Sequence, residues 1–260
     1  MMKVKEFLKE LGAHIWETIK SSILLLLFYG MLSSIAFMGM MNTDWTGDVA
    51  EGLNGSRTAW VVVIVLLLAG YNALLAYGMG GKGYEMLVSG NMKRISAQQL
   101  GSSYKISSHK EVQEYRAWKG FAFGGVVAFF VLLFGILMGA NADGVNELMR
   151  SLANPEAGLT TNKGTAAVAL VSMLLSGWSV LPFVFMNIAG ATVSYYWSCL
   201  FALIPIAVSG ALYIMGAYGK RAKSIKAQEE ADRAAATEAA KPKKINYGGL
   251  PGTKPKKRKK

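Results

Sequence analysis

The chain has little of the chemistry on which enzymes and metal proteins depend. Among its 260 residues are one cysteine, Cys199, and two histidines, His14 and His109. A single cysteine excludes an internal disulfide, and neither the C-x-x-C nor the H-E-x-x-H spacing of zinc sites occurs. The serines of the apolar runs have no histidine or lysine within any apolar run to act as their base. We therefore predict no catalytic residue, no metal and no cofactor, and a protein that is not an enzyme.

Charge is also missing from four long stretches. Residues 21–41, 59–79, 120–140 and 165–219 contain no Asp, Glu, Lys or Arg. About 20 apolar residues in a helix cross a hydrocarbon core of about 30 Å, so the first three stretches each match one span and the fourth is long enough for two. Continuous apolar runs, rather than alternating ones, favour helices over a β-barrel. The sequence predicts an all-α, polytopic helical membrane protein.

The basic residues predict how the chain is oriented. Lysine and arginine number four in residues 1–20, seven in 80–119 and fourteen in 220–260, against one and two in the two intervening loops. Since basic segments stay on the cytoplasmic side, we expect both termini and the 80–119 loop in the cytoplasm. The low cysteine content agrees with a plasma (inner) membrane location for this multi-pass protein.

The number of crossings is where two rules conflict. Both termini on one side require an even number, whereas hydropathy gives five apolar runs. We therefore predict four spans plus one apolar re-entrant or half-crossing segment over residues 165–189, with Pro182 as its natural break. The alternative is five full spans, in which case one terminus departs from the charge rule.

Three regions follow from these patterns. Residues 1–20 have apolar side chains at three-to-four spacing with charges between them, which predicts an amphipathic interfacial helix. Residues 21–219 form the transmembrane helical bundle with its basic loop at 80–119. Residues 220–260 form a basic cytoplasmic tail, which can be helical up to residue 240 and is predicted to be disordered from about residue 241 because Pro, Gly and Lys cannot pack a core.

A short pattern occurs twice. Residues 77–83 and 213–219 share a tyrosine, a methionine and glycines at an offset of 136, and the first and third spans match loosely at an offset of 105. These matches suggest two parallel two-span halves. The glycines of residues 80–83 do not have the spacing of a phosphate-binding loop, and we interpret them as a helix end at the membrane surface.

Candidate contact residues fall in two places. Asn72 and Asn187 are the only amides in the apolar runs and are predicted to make polar contacts inside the membrane, most simply interhelical hydrogen bonds. Six cations at the end of the tail are predicted to contact anionic headgroups, or another polyanion such as ribosomal RNA. These cations are Lys254, Lys256, Lys257, Arg258, Lys259 and Lys260.

We thus predict a non-catalytic integral membrane protein. It is expected to be a scaffold or accessory subunit, as a homo-oligomer or in a membrane complex, whose basic cytoplasmic face engages anionic lipid or another polyanion. The alternative is a transporter or channel component for a neutral or small solute, in which residues 165–190 line the path. No ionised side chain lies in any apolar run, which argues against a proton relay.

Overall fold

The computed structural model describes residues 2–41, 55–99, 111–153, 162–188 and 190–240. These residues contain helices and no strand, so the prediction of an all-α membrane protein is confirmed. The elements are α1 (Met2–Met41), α2 (Gly55–Gln99), a 3₁₀ turn (Glu111–Gln113), α3 (Trp118–Ala140), α4 (Ala142–Ala153), α5 (Lys163–Ile188), a 3₁₀ segment (Tyr195–Ala202) and α6 (Leu203–Ala240).

Five helical segments of the described chain are long and apolar enough to cross a membrane. They are Leu8–Phe37, Thr58–Gly90, Trp118–Ala140, Lys163–Asn187 and Tyr195–Glu238. By length and composition this count agrees with the alternative of five rather than with the favoured four. Large apolar side chains cover the outside of these helices, and Leu74 is 75% exposed. Such a surface is stable when it faces lipid rather than water.

Three predicted boundaries differ from the observed helices. Residues 1–20 and the first span form one helix, because α1 continues without a break from Met2 to Met41. The glycines of residues 80–83 do not end a helix, because α2 runs on to Gln99. The break in the fourth apolar run lies at Ser176, with φ −131° and ψ 21°, one and a half turns before the predicted Pro182.

The chain divides into two compact units, Met1–Lys220 and Arg221–Lys260. In the second unit α6 continues to Ala240, as the composition of the first half of the tail suggested. Every side chain from residue 221 to residue 238 is exposed, which is typical of a helix without a packing partner in its own unit.

Within the first unit the contacts fix the helix directions. The ring of His14 on α1 lies against Trp118 on α3, and the Ser22 hydroxyl donates to the Phe123 carbonyl, so α1 and α3 run in the same direction. α6 runs antiparallel to α3, because Gly120 lies against Tyr213 and Gly124 against Pro205. α2 runs in the same direction as α6, as their crossing shows. We call "the basic end" the end of the bundle that carries Lys20, Lys82, Arg116, Lys119 and Lys220, and "the opposite end" the end where α3 stops and α4 begins.

The repeated pattern marks the crossing of α2 and α6. A Cβ at Gly80 would overlap the carbonyl oxygen of Tyr213, and a Cβ at Gly216 would overlap that of Tyr77. The two tyrosine hydroxyls lie beside Gly83 and Gly219 in the same reciprocal way. The two helices are therefore parallel and related by a local two-fold axis along their length, and glycine permits their backbones to touch.

This symmetry does not extend to two complete halves. Phe28 of α1 stacks on Tyr71 of α2. If the two halves were equivalent, the offset of 105 would turn Phe28 into Leu133 of α3. That residue would then contact the turn of α6 that the offset of 136 assigns to Tyr71. Instead Gly124 of α3 lies against that turn, at Pro205. The α3 residue that meets this turn is nine residues, about two and a half turns, from the one that the offsets give, so the repeat is a feature of the α2–α6 crossing.

Candidate functional site: a capped polar pocket at the basic end

Residues 111–117, which we call the cap segment, close the basic end of the bundle. The backbone N–H of Tyr115 donates to the Gly83 carbonyl over 3.0 Å, and its ring stacks on Tyr213 at a centroid distance of 5.4 Å. Burial raises the pKa of the Tyr115 hydroxyl further above neutral pH. The cap segment is thereby tied to α2 and α6.

Side chains from α1 and α3 hold the other edge of the cap segment. The Lys119 ammonium donates to the carbonyl oxygens of Val112 and Glu114, both at 2.6 Å. The Glu17 carboxylate accepts a hydrogen bond of 2.9 Å from the Gln113 amide. Hydrogen bonds to charged groups are the strong ones, so the cap segment is fixed by contacts to four helices.

Beneath the cap segment lies a pocket of about 270 Å³, in which polar groups are set in a mainly apolar lining. Two cations, one carboxylate and several neutral hydrogen-bonding groups converge on it. Its lining comprises Glu17, Thr18, Ser21, Met79, Lys82, Gly83, Met86, Val112, Gln113, Lys119 and Tyr213. Donors, acceptors and one surplus positive charge therefore meet here beside an apolar bundle, as in sites that hold a polar ligand group.

The carboxylates around this pocket are engaged in contacts, whereas three of its cations are exposed. Glu85 pairs with Lys220, Glu17 accepts from Gln113, and Glu114 is only 8% exposed. The basic side chains Lys20, Lys82 and Arg116, in contrast, are exposed. Lys20 also lies over the ring of Trp16, 5.3 Å from its centroid, an aromatic–basic pair typical of the membrane interface.

The two predicted intramembrane amides have different surroundings. Asn72 is completely buried; its carbonyl oxygen accepts a 2.7 Å hydrogen bond from the Ser209 hydroxyl, and its amide donates to the Pro205 carbonyl at 3.3 Å. Asn72 thus joins α2 to α6. Asn187 instead bonds both backbone groups of Val193, at 2.7 and 2.8 Å. It closes the turn after α5 and joins no second transmembrane helix through these bonds.

The interior also contains hydroxyls that lack a hydrogen-bond partner. Among the described residues, the Tyr29, Ser172 and Ser198 oxygens are buried without one, as is Nδ1 of His14 at the basic end. A buried polar atom without a partner costs about 1–3 kcal/mol unless water or a ligand satisfies it.

The sequence singled out only part of this site. The six tail cations from Lys254 to Lys260 lie outside the described residues. Lys119 entered the prediction only as a charge, although its place just before an apolar run marks it as an interfacial cation. Tyr213 and Gly83 were noticed as members of the repeat, and their role in holding the cap segment depends on contacts between distant parts of the chain.

No group of three metal-ligating side chains comes together in the part of the chain that the structure describes. No protein-family model matches the chain, and neither a curated protein nor a solved structure is significantly similar to it. Function must therefore be argued from the site itself.

Proposed function

We propose that this integral membrane protein is a non-catalytic scaffold or accessory subunit whose basic end binds anionic lipid headgroups at the cytoplasmic face of the plasma (inner) membrane. One observation carries the proposal: the three cations Lys20, Lys82 and Arg116 are exposed around the pocket of the basic end. Of the carboxylates beside it, Glu85 is paired with Lys220, Glu17 is hydrogen-bonded to Gln113 and Glu114 is buried. Each such cation near an anionic surface contributes ~1 kcal/mol.

The composition of the tail supports the same partner. Residues 241–260 contain nine basic and no acidic residues. Residues 221–240, in contrast, balance four basic against four acidic residues, so the charge of the tail is concentrated at its end. A concentrated cationic segment on a membrane protein favours anionic headgroups by proximity, because the protein is already anchored beside them.

The proposal is tested by counting retained lipids. The full chain is purified from a mixed bilayer, and native mass spectrometry compares bound phosphatidylglycerol with bound phosphatidylcholine. Lys82→Gln and Arg116→Gln should each weaken phosphatidylglycerol binding about fivefold, which corresponds to ~1 kcal/mol per charge. A chain that lacks residues 254–260 should lose further phosphatidylglycerol.

Lys163→Gln is the matched control, because Lys163 is an exposed lysine at the start of α5 rather than at the basic end. Equal retention of the two lipids, or an equal loss in the control, would overturn the proposal. Retention of RNA in place of phosphatidylglycerol would assign the basic end to a nucleic-acid partner instead.

A second function, a channel or transporter component for a small neutral solute, has one observation in its favour. The buried hydroxyls of Tyr29, Ser172 and Ser198 have no protein partner, and an interior used only for packing has no need of them. Fully apolar side chains would pack the same positions at no polar cost.

A further inference from the structure

A groove follows the seam between α1 and α3. It consists of two cavities, a first of about 470 Å³ and a second of about 380 Å³, which together we call the α1–α3 groove. Leu26 of α1 and Phe130 of α3 line both cavities, so the cavities adjoin. Each volume lies within the range of about 300–1,000 Å³ that is usual for ligand pockets.

The α1–α3 groove is open on the outer surface of the bundle. Its lining includes Leu27, Met31 and Phe129, whose side chains are each more than half exposed. Val127 and Val131, which also line it, are buried and form its floor. Because α1 and α3 are both long and apolar enough to span a membrane, the groove opens towards the acyl chains of the bilayer.

Two glycines show that the groove holds free space. A Cβ added at Gly125, in the first cavity, would meet nothing within 4 Å. A Cβ added at Gly30, in the second, would meet only Leu175 of α5, at an ordinary contact distance of 3.6 Å. Gly120 and Gly124 differ, since a Cβ at either would overlap α6. Glycine therefore permits close packing on one face of α3 and leaves room on another.

The groove begins at the basic end. Trp118, at the start of α3, lines the first cavity beside Ile15 of α1. Thr18 lines this cavity and also the pocket beneath the cap segment, so the two adjoin at this residue. The exposed Lys20 lies two residues further along α1. Cations and then an apolar groove follow one another from the interface into the membrane, which is the order of headgroup and chain in an anionic phospholipid.

The length of the groove also matches a lipid. Below Trp118, the α3 wall extends from Ala122 to Phe134, ~18 Å at 1.5 Å per residue. One leaflet supplies ~15 Å, half of a hydrocarbon core of ~30 Å. A helix about 10 Å wide over this length would occupy on the order of 1,400 Å³, more than the two cavities together. A helix of a second chain would therefore cover the groove without filling it.

We propose that the α1–α3 groove holds one acyl chain of a phospholipid whose headgroup lies at the basic end. This inference rests on the proposed lipid-binding function and deepens it, because it gives the bound lipid a place for its chain. A chain in the groove contacts α1 and α3 at once, whereas a chain on the outside of one helix contacts a single wall. Dispersion contacts are weak singly and add up, so the groove retains its chain longer.

The site is tested by photocrosslinking on the full chain. The protein is reconstituted in phosphatidylcholine vesicles with a small share of phosphatidylglycerol that carries a photoreactive diazirine in one acyl chain. After illumination, peptide mass spectrometry locates the crosslinks. Residues 15–31 and 118–134 should be labelled at least about fivefold more than the outer face of α2, where Leu66 and Leu67 are exposed.

A matched pair of leucine variants tests the groove by filling it. In Gly125→Leu the new side chain occupies the first cavity, so labelling of α1 and α3 should fall about fivefold. Gly70→Leu is the control, because Gly70 is exposed on α2 and an added Cβ there also meets nothing within 4 Å. Its labelling should match that of the original chain. Thermal unfolding midpoints show that both variants are folded, and the labelling pattern of the original chain is decisive without them.

Labelling spread evenly over the outer faces of the helices, or an equal loss in the two leucine variants, would overturn the inference. An unlabelled groove together with a dimer in the native mass spectrum would assign the groove to a second copy of the chain. These results leave the lipid counts of the proposed function unaffected. Equal labelling of the groove by a phosphatidylcholine with the same diazirine would overturn the preference for anionic headgroups and leave the acyl-chain site standing.

Discussion

Gly80 of α2 and Tyr213 of α6 meet backbone to backbone: the carbonyl oxygen of Tyr213 occupies the space that a side chain at Gly80 would fill. The same contact occurs between Gly216 and Tyr77, so exchanging α2 with α6 leaves the contacts of the crossing unchanged. Close approach of this kind strengthens dispersion contacts, which drive helix association in lipid where the hydrophobic effect does not act between helices.

Gly80→Ala should therefore destabilise the bundle by about 1–3 kcal/mol, because the new methyl group forces the helices apart. Gly78→Ala is the control: it lies on the same helix, two residues away, with nothing within 4 Å of an added Cβ. The midpoint of thermal unfolding in detergent measures both. Equal midpoints for the two variants would contradict the crossing as described.

Two adjacent glycines of α3 give a second matched pair. A Cβ at Gly124 would overlap the carbonyl group of Pro205, whereas a Cβ at Gly125 meets nothing within 4 Å. Gly124→Ala should lower stability by about 1–3 kcal/mol through overpacking, and Gly125→Ala should be neutral or slightly stabilising because alanine favours the helix. A larger loss for Gly125→Ala would mean that α3 is rotated from the position described.

The Asn72–Ser209 hydrogen bond predicts a coupling between two variants. In a double-mutant cycle of Asn72→Ala and Ser209→Ala, the coupling free energy should be about 1 kcal/mol, the usual size for polar pairs inside membrane bundles. Reversible unfolding in mixed micelles provides the four free energies. Strict additivity would show that the two side chains do not interact in the bilayer.

Lys119→Met should loosen the cap segment while keeping the apolar stem of the side chain. The variant loses two charge-assisted hydrogen bonds to backbone carbonyls, each worth about 1.5–3 kcal/mol. Amide hydrogen exchange over residues 111–117 should become faster, with little change in α3. Lys82→Met removes an exposed lysine from the same pocket and should leave this exchange unchanged.

Salt should weaken lipid binding at the surface and leave the hydrogen bonds of the interior unchanged. Retention of phosphatidylglycerol should fall steeply as salt rises, because exposed charges are screened over about 10 Å at about 0.1 M ionic strength. The coupling of Asn72 to Ser209 should not change, since both side chains are neutral and completely buried. Salt-independent lipid retention would point to apolar contacts rather than to the exposed cations.

The fold class was predictable because the signal is local. Each uncharged run of about 20 residues specifies a span by itself, whatever its neighbours are. Asn72 was predictable for a similar reason: an amide is rare in a span and needs a partner. Its partner Ser209 was not, because serine is common in spans and satisfies itself by bonding to its own helix.

The rest depended on contacts between distant residues. The glycines of residues 80–83 were interpreted as a helix end, and that was wrong because the same missing Cβ also permits a helix crossing. The cap segment was not foreseen, since Lys119 and Tyr115 acquire their roles only when α1, α2 and α6 surround them. The break at Ser176 likewise has no proline of its own to announce it.

The charge-free interior has an electrical consequence. A unit charge that moves across a membrane exchanges about 2.3 kcal/mol with a potential of 100 mV. The buried serine side chains, Tyr29 and Asn72 carry dipoles but no formal charge, so their rearrangement would move almost no gating charge. A membrane potential would therefore exert almost no force on these interior side chains.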